Sequence, residues 1–192
     1  MTVLTDTEIL RQLIRADATT RLQRKYDRNY VELYEPQSDN DCVKIYGLPD
    51  DIIVIKADKF PSPAAIFRGK NGESKRADYI LISEEKKCVI FLEMKKTTDS
   101  QKEIVLQLKG AQCVMKYCQE VGISFWDKLD FLNGYKHRFV SVCHTSIHKT
   151  KTRQNQSREE ISINAQHRNP NFIIKISFPN HVEFNKIAAL TN

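Results

Sequence analysis

Apolar and polar residues recur along the chain with two periods, one typical of helices and the other typical of strands. The residues Thr5-Asp6-Thr7-Glu8 have the form of a capping box, and apolar residues between Ile9 and Leu22 then follow at helical spacing. This pattern predicts a first helix over Asp6–Tyr26. A second apolar stripe, which begins at Ile104, predicts a helix over Lys102–Glu120 that ends near Gly122.

Shorter apolar runs predict strands in the remainder of the chain. The runs 77–82 and 88–94 are joined by the charged turn EEKK and predict an antiparallel hairpin. Its second strand is apolar on both faces, which is typical of a central strand. The stretch Asn29–Glu35 fits either a helical turn or a strand. The other predicted strands are Cys42–Tyr46, Ile52–Ile55, His137–Ser146 and a last hairpin that pairs 171–177 with 181–184.

These elements predict an α/β fold in which helices flank a mixed sheet. A chain of 192 residues can bury one hydrophobic core, so we expect a single domain over 1–192. The central sheet is expected around residues 42–94 and 137–146, between the N-terminal helix and the Lys102–Glu120 helix.

Composition places the chain among ordinary soluble proteins. Apolar residues make up 41% and charged residues 28%, and no apolar run approaches the ~20 residues that span a bilayer. The start MTVLTDTEIL has no basic segment followed by an apolar one, so we expect no secretory signal. Five cysteines without framework spacing favour a reducing, cytoplasmic setting.

The positive charge is concentrated in one segment. Between Lys136 and Lys175 there are eight basic residues and two acidic ones, a surplus equal to the net charge of +6. Such a concentration favours a polyanionic partner, because bound phosphates release counterions. The polar stretch at about 148–168 predicts a basic loop that contacts the nucleic-acid backbone. Its candidate contact residues are Lys149, Lys151, Arg153 and Arg158.

The strongest chemical signal is an acid followed, fifteen residues later, by a Glu-x-Lys motif. Asp78 stands near the start of one hairpin strand, and Glu93 and Lys95 stand at the end of the next. Because side chains alternate along a strand, Glu93 and Lys95 project from one face. Asp78 joins them if the hairpin register places it beside Glu93. Two carboxylates and an ammonium group are costly to bury for stability alone.

This set of groups is suited to a hard cation and to phosphodiester hydrolysis. We expect Asp78, Glu93 and the backbone carbonyl of Met94 to bind Mg²⁺ or Mn²⁺. The metal would activate a bound water, and Lys95 would orient that water or stabilise the charge of the transition state.

The stretch KRADYILISEEKKCVIFLEMKK, followed by a helix that contains QLKGAQ, resembles the PD-(D/E)xK, restriction-endonuclease-like nuclease superfamily. The resemblance covers roughly Arg76–Cys118 and implies a restriction-endonuclease-like core with Mg-dependent nuclease activity. It also implies a catalytic role for Gln107 and an extra acid, with Glu32 favoured over Glu8. Ala77 stands where many members have proline.

The sequence therefore predicts a metal-dependent nuclease, with DNA favoured over RNA as its substrate. Because small stand-alone nucleases of this superfamily often act in restriction or anti-phage defence, the resemblance also implies such a role. Two alternatives stay open: a non-catalytic nucleic-acid-binding subunit, and a protein-interaction module on the same fold. In both, Glu93 and Lys95 would form a surface ion pair without catalytic use. A homodimer or a partner subunit also stays open.

Overall fold

A computed structural model describes residues 4–35, 42–95, 100–143, 169–177 and 181–188 of the chain. These ranges contain a mixed α/β arrangement of helices and two mixed sheets. The helices are α1 (Asp6–Leu13), α2 (Gln101–Trp126) and α3 (Phe184–Ala188). The strands are β1 (Gln23–Lys25), β2 (Arg28–Tyr34), β3 (Cys42–Leu48), β4 (Ile53–Lys56), β5 (Tyr79–Ser83), β6 (Cys88–Lys95), β7 (Lys136–Cys143), β8 (Ile174–Ser177) and β9 (His181–Glu183).

The larger sheet has the strand order β4-β5-β6-β7-β8. Strands β4, β5 and β6 are antiparallel neighbours, whereas β7 and β8 continue parallel to β6. The predicted hairpin and its central second strand are confirmed, since β6 lies in the middle of this sheet and is buried along almost all of its length. The smaller sheet has the order β1-β2-β3-β9, with β9 parallel to β3.

Alternation along β6 divides the protein into layers. Val89 and Phe91 project toward α1 and α2, where they join the first apolar cluster. Ile90 and Leu92 project to the other side and pack with the inner face of the smaller sheet and with α3. The layers are therefore α1 and α2, then the larger sheet, then the smaller sheet with α3. Within the described ranges, no helix combines the length and apolar character needed to cross a membrane.

The first helix is much shorter than the predicted Asp6–Tyr26. Its capping box is confirmed, because Thr5 Oγ1 accepts from Glu8 N and Glu8 Oε2 accepts from Thr5 N. The helix ends at Leu13, however, and Thr20 N donates to Val54 O at the edge of β4. Leu22 packs with the second apolar cluster rather than the first. One helix could not bury residues on both sides of the larger sheet, so its helical spacing was misleading.

Helix α2 extends beyond the predicted end at Gly122. It begins at the N-cap Ser100 and continues to Trp126, where Asp127 adopts a left-handed conformation with φ of 53°. Gly122 therefore lies inside the helix. A glycine is needed there because a Cβ would lie 2.2 Å from the ring of Phe131. This glycine permits close packing and does not cap the helix.

Two predictions about strand pairing are corrected. The run at Cys42–Tyr46, expected in the central sheet, forms β3 of the smaller sheet. The expected final hairpin does not form, since β8 belongs to the larger sheet and β9 to the smaller one. Asn29–Glu35, left open by its pattern, is mostly strand β2. The predicted strand residues 144–146 and the basic loop lie outside the described residues.

Candidate active site

The hairpin register brings Asp78 opposite Glu93. Tyr79 pairs with Leu92 in the antiparallel ladder, so the preceding residue, Asp78, lies across from Glu93. Alternation places Asp78 on the same side as Ile80, and Glu93 and Lys95 on the same side as Phe91. All three polar side chains therefore share one face of the hairpin, as the sequence predicted, and this face is the one toward α2.

Two polar contacts fix these side chains. Asp78 Oδ2 accepts a hydrogen bond of 2.7 Å from the backbone N–H of Met94, which extends the β5–β6 ladder by one step. Lys95 Nζ lies 2.9 Å from Glu93 Oε1. The Glu93 side chain is 1% exposed and that of Lys95 15% exposed, so this ion pair is buried and is not a surface pair.

Burial and mutual repulsion raise the pKa values of both carboxyl groups. Burial raises the pKa of Glu93 to about 8, the Asp78 charge adds to this rise, and the Lys95 ammonium opposes it. Burial likewise raises the pKa of Asp78 to about 7, against the hydrogen bond from Met94 N–H. A cation between the two carboxylates would offset both effects.

A third acid, Glu35, was missed by the sequence analysis. It directly follows β2 and is buried, and its negative charge raises the pKa values of Asp78 and Glu93. The Tyr79 hydroxyl donates to Tyr34 O and accepts from Tyr34 N, which fastens this end of β2 beside Asp78. The available signal was the alternation of Val31, Leu33 and Glu35, which puts an acid on an apolar face.

The acids favoured by the resemblance do not reach this site. Glu32 lies on the opposite face of β2, where its carboxylate is 2.7 Å from Lys44 Nζ and accepts from the Tyr34 hydroxyl. Glu8 closes the capping box of α1. Glu35, rather than Glu32 or Glu8, is the acid whose charge acts on Asp78 and Glu93.

Gln107 lies on the face of α2 that packs against the sheet, one turn from Ile104 and beside Leu108. Its Oε1 atom is buried and has no hydrogen-bond partner among the described residues, and the same holds for Glu93 Oε2. Buried oxygens without partners are costly, and functional sites are where they are expected.

The donor set fits a hard cation such as Mg²⁺. Carboxylate and amide oxygens are its preferred protein ligands, and three buried carboxylates here share one nearby ammonium group. In the described ranges no three His, Cys, Asp or Glu side chains are arranged to hold a metal ion. The ligand set predicted from the sequence has only two carboxylates, Asp78 and Glu93, and takes its third oxygen from the backbone carbonyl of Met94.

The predicted nucleic-acid contacts Lys149, Lys151, Arg153 and Arg158 lie outside the described residues. Comparisons of the chain with protein-family models, with curated proteins and with solved structures found no match. The geometry and charge of the site are therefore the grounds for a function.

Proposed function

We propose that this protein is a divalent-metal-dependent nuclease that hydrolyses phosphodiester bonds, with DNA favoured as its substrate. The observation that carries the proposal is the convergence of Asp78, Glu93 and Lys95 on one face of the hairpin, with Glu93 Oε2 buried and unsatisfied. The hairpin followed by a helix bearing Gln107 also supports a restriction-endonuclease-like core.

Each residue has a distinct role in the proposed reaction. Asp78 and Glu93 hold Mg²⁺ or Mn²⁺ together with the Met94 carbonyl, and Gln107 orients a polar ligand at the same site. When bound, the metal acidifies a water and offsets negative charge on the phosphate. Lys95, held by Glu93, donates hydrogen bonds to the attacking water or to a phosphate oxygen.

The chain's cysteines and charge support the setting in which such an enzyme would act. None of the five cysteines forms a disulfide, which supports a reducing, cytoplasmic compartment. The basic segment near residues 148–168 supports a nucleic-acid partner.

The test is cleavage of plasmid and single-stranded DNA in Mg²⁺, Mn²⁺ or EDTA. Glu93→Gln and Lys95→Ala should each lower the rate on the order of 100-fold or more, because they remove metal ligation or transition-state stabilisation. The matched controls are Glu85→Gln and Lys86→Ala, since these residues form an ion pair of 2.7 Å at the opposite end of the same hairpin.

Equal activity of Glu93→Gln and the wild type would remove the motif from the active site. No cleavage with any metal, together with salt-sensitive DNA binding, would favour a non-catalytic binding subunit instead.

A further inference from the structure

The smaller sheet presents an outer face that the proposed active site does not use. On β2 and β3 the residues Val31, Leu33, Val43 and Ile45 point inward and are buried. The intervening residues point outward, and α3 packs on the inner face, so no described helix covers them. We name this outer surface the tyrosine face, and it comprises Tyr30, Glu32, Tyr34, Lys44, Tyr46, His181 and Glu183.

Aromatic rings form a row across three strands of the tyrosine face. Tyr30 and Tyr46 are directly paired, with ring centroids 5.2 Å apart and an interplanar angle of 21°. His181 meets the Tyr46 ring edge-on at 6.2 Å. Tyr34 on the same strand is 49% exposed, and Tyr26 at the β1–β2 turn is 86% exposed. Tyr30 and Tyr46 are half-buried, and Lys44 Nζ lies 5.9 Å from the centre of the Tyr30 ring. Aromatic rings that keep part of their surface exposed on an open sheet are a platform on which bases can stack.

Positive charge borders these rings on the side of β1. Gln23 is paired with Tyr30, and Lys25 lies on the same side of β1 by alternation. The exposed Arg21 precedes this strand. Gln23 Oε1 accepts from the Tyr30 hydroxyl, which places this edge beside the ring row. Arg21 and Lys25 form no ion pair with any described residue, and Lys25 Nζ lies 5.2 Å from the centre of the Tyr26 ring.

The balance of charge over this surface is positive. The segment Arg21–Arg28 and the tyrosine face together carry five cations against three carboxylates, a net charge of +2. Lys44 pairs with Glu32, Arg28 with Glu183 and Arg24 with Asp27, which leaves Arg21 and Lys25. The cations that remain without a carboxylate are thus grouped at one border of the rings, where a phosphate backbone could run.

We propose that the tyrosine face binds a single-stranded stretch of nucleic acid. Bases stack on Tyr30 and Tyr46, and phosphates contact Arg21 and Lys25. Single strands are favoured because paired bases do not expose their faces to such a platform. This binding does not depend on the proposed nuclease activity.

The experiment measures binding by fluorescence anisotropy in EDTA, so that cleavage cannot contribute. Its probe is a labelled oligothymidylate of about 15 nucleotides, near the upper site size for such a surface. Tyr30→Leu combined with Tyr46→Leu should weaken binding at least about ten-fold, whereas Tyr30→Phe with Tyr46→Phe should restore it. Tyr117→Leu is the matched control, since Tyr117 is 69% exposed on α2. Binding of a duplex of equal length should change less than about two-fold.

A second variant tests the charged border without altering the core. Arg21→Gln with Lys25→Gln should make log Kd less steep against log salt by about 0.7 for each phosphate that the variant no longer neutralises. Arg11→Gln with Lys186→Gln removes the same charge from exposed positions elsewhere and should leave the slope unchanged. Wild-type affinity in the double leucine variant, equal weakening for single strands and duplex, or an unchanged slope in the border variant would each overturn the proposal.

Discussion

At the scale of single residues, the site combines groups that are costly to bury. Asp78 and Glu93 have pKa values raised by burial, and Glu35 adds a third negative charge to them. Without a metal ion, this arrangement disfavours the ionised form of the two carboxyl groups. It should therefore affect the free energy of unfolding as well as activity.

The first residue-scale prediction concerns stability against pH in EDTA. With pKa values of about 7 and about 8, Asp78 and Glu93 stay protonated in the folded protein after the unfolded chain has released its protons at pKa values of 3.8 and 4.5. Stability should fall as the pH rises through this window, because the folded state binds more protons there. Glu93→Gln should melt about 4–8 °C above the wild type at pH 8, roughly 2 kcal/mol, and level with it at pH 5.

Burial lowers the pKa of His137, which has the opposite effect on how stability depends on pH. Because the wild type and Glu93→Gln both retain His137, this effect cancels in their comparison. Differential scanning calorimetry measures the melting temperatures. Parallel pH profiles for the two proteins would show that Glu93 is ionised without cost in the fold.

A second residue-scale prediction separates the two acids of β2. Glu35→Gln removes a charge that raises the pKa values of Asp78 and Glu93, so the acidic limb of the kcat/KM profile should move to lower pH by about 0.5–1 unit. The control is Glu32→Gln on the outer face of β2, which removes an ion pair with Lys44 and a hydrogen bond from Tyr34 and should leave the limb in place. Equal shifts in both variants would remove Glu35 from the site.

The core of the site was predictable from sequence because it is local. Asp78 and Glu93 are joined by one short hairpin, and strand alternation sets the face of Lys95. Glu35 was not predictable in the same way, since it approaches the hairpin from the other sheet. Glu32 was preferred although alternation with Val31 and Leu33 favours Glu35 on the inner face.

At the scale of elements, strand and helix types were largely predictable, but their partners were not. Local apolar runs identified β5, β6 and α2. The same information could not assign β3 and β9 to a second sheet, because strand period does not encode which sheet a strand joins. The error over α1 has a similar origin, since Leu22 fits the helical period while packing on the far side of the larger sheet.

An element-scale prediction uses two glycines of α2. A Cβ at Gly110 would lie 1.7 Å from Lys75 O, and a Cβ at Gly122 would lie 2.2 Å from the Phe131 ring. Gly110→Ala and Gly122→Ala should each lower stability by about 1–3 kcal/mol, partly offset by the better helix propensity of alanine. Thermal melts measure this decrease.

The two variants should differ in activity. Gly110→Ala displaces the backbone that leads to Asp78. Its cleavage rate should therefore be lower than that of the wild type, even at temperatures well below its melting temperature. Gly122→Ala affects the far end of the helix and should keep the wild-type rate under the same conditions. Matching rates in both variants would show that the 75–78 backbone tolerates displacement.

At the scale of the whole molecule, acidic and basic residues are concentrated in different parts of the chain. The candidate active site holds the acids Asp78, Glu93 and Glu35, while the surplus of basic residues lies between Lys136 and Lys175. A polyanionic substrate needs cations elsewhere to remain bound near such a site. We propose that the segment near residues 148–168 supplies these cations.

The whole-molecule prediction replaces four basic residues by alanine together: Lys149, Lys151, Arg153 and Arg158. This variant should bind every DNA sequence more weakly, and to the same extent. The slope of log K against log salt should become less steep by about 0.9 for each duplex phosphate that is no longer neutralised. The rate at saturating substrate should be nearly unchanged, because these residues bind the ground and transition states equally. Unchanged affinity and slope would show that the segment does not bind DNA.

The position of Glu35 also has a consequence for the order of folding. The β5–β6 hairpin closes a short loop, whereas the approach of Glu35 to the hairpin joins positions almost sixty residues apart and closes later. Docking of the smaller sheet then carries a carboxylate from water to the side of two others, at an electrostatic cost. A cation bound to the hairpin, as proposed above, would reduce that cost. Divalent ions should therefore accelerate the late docking of the two sheets and leave the early hairpin unaffected.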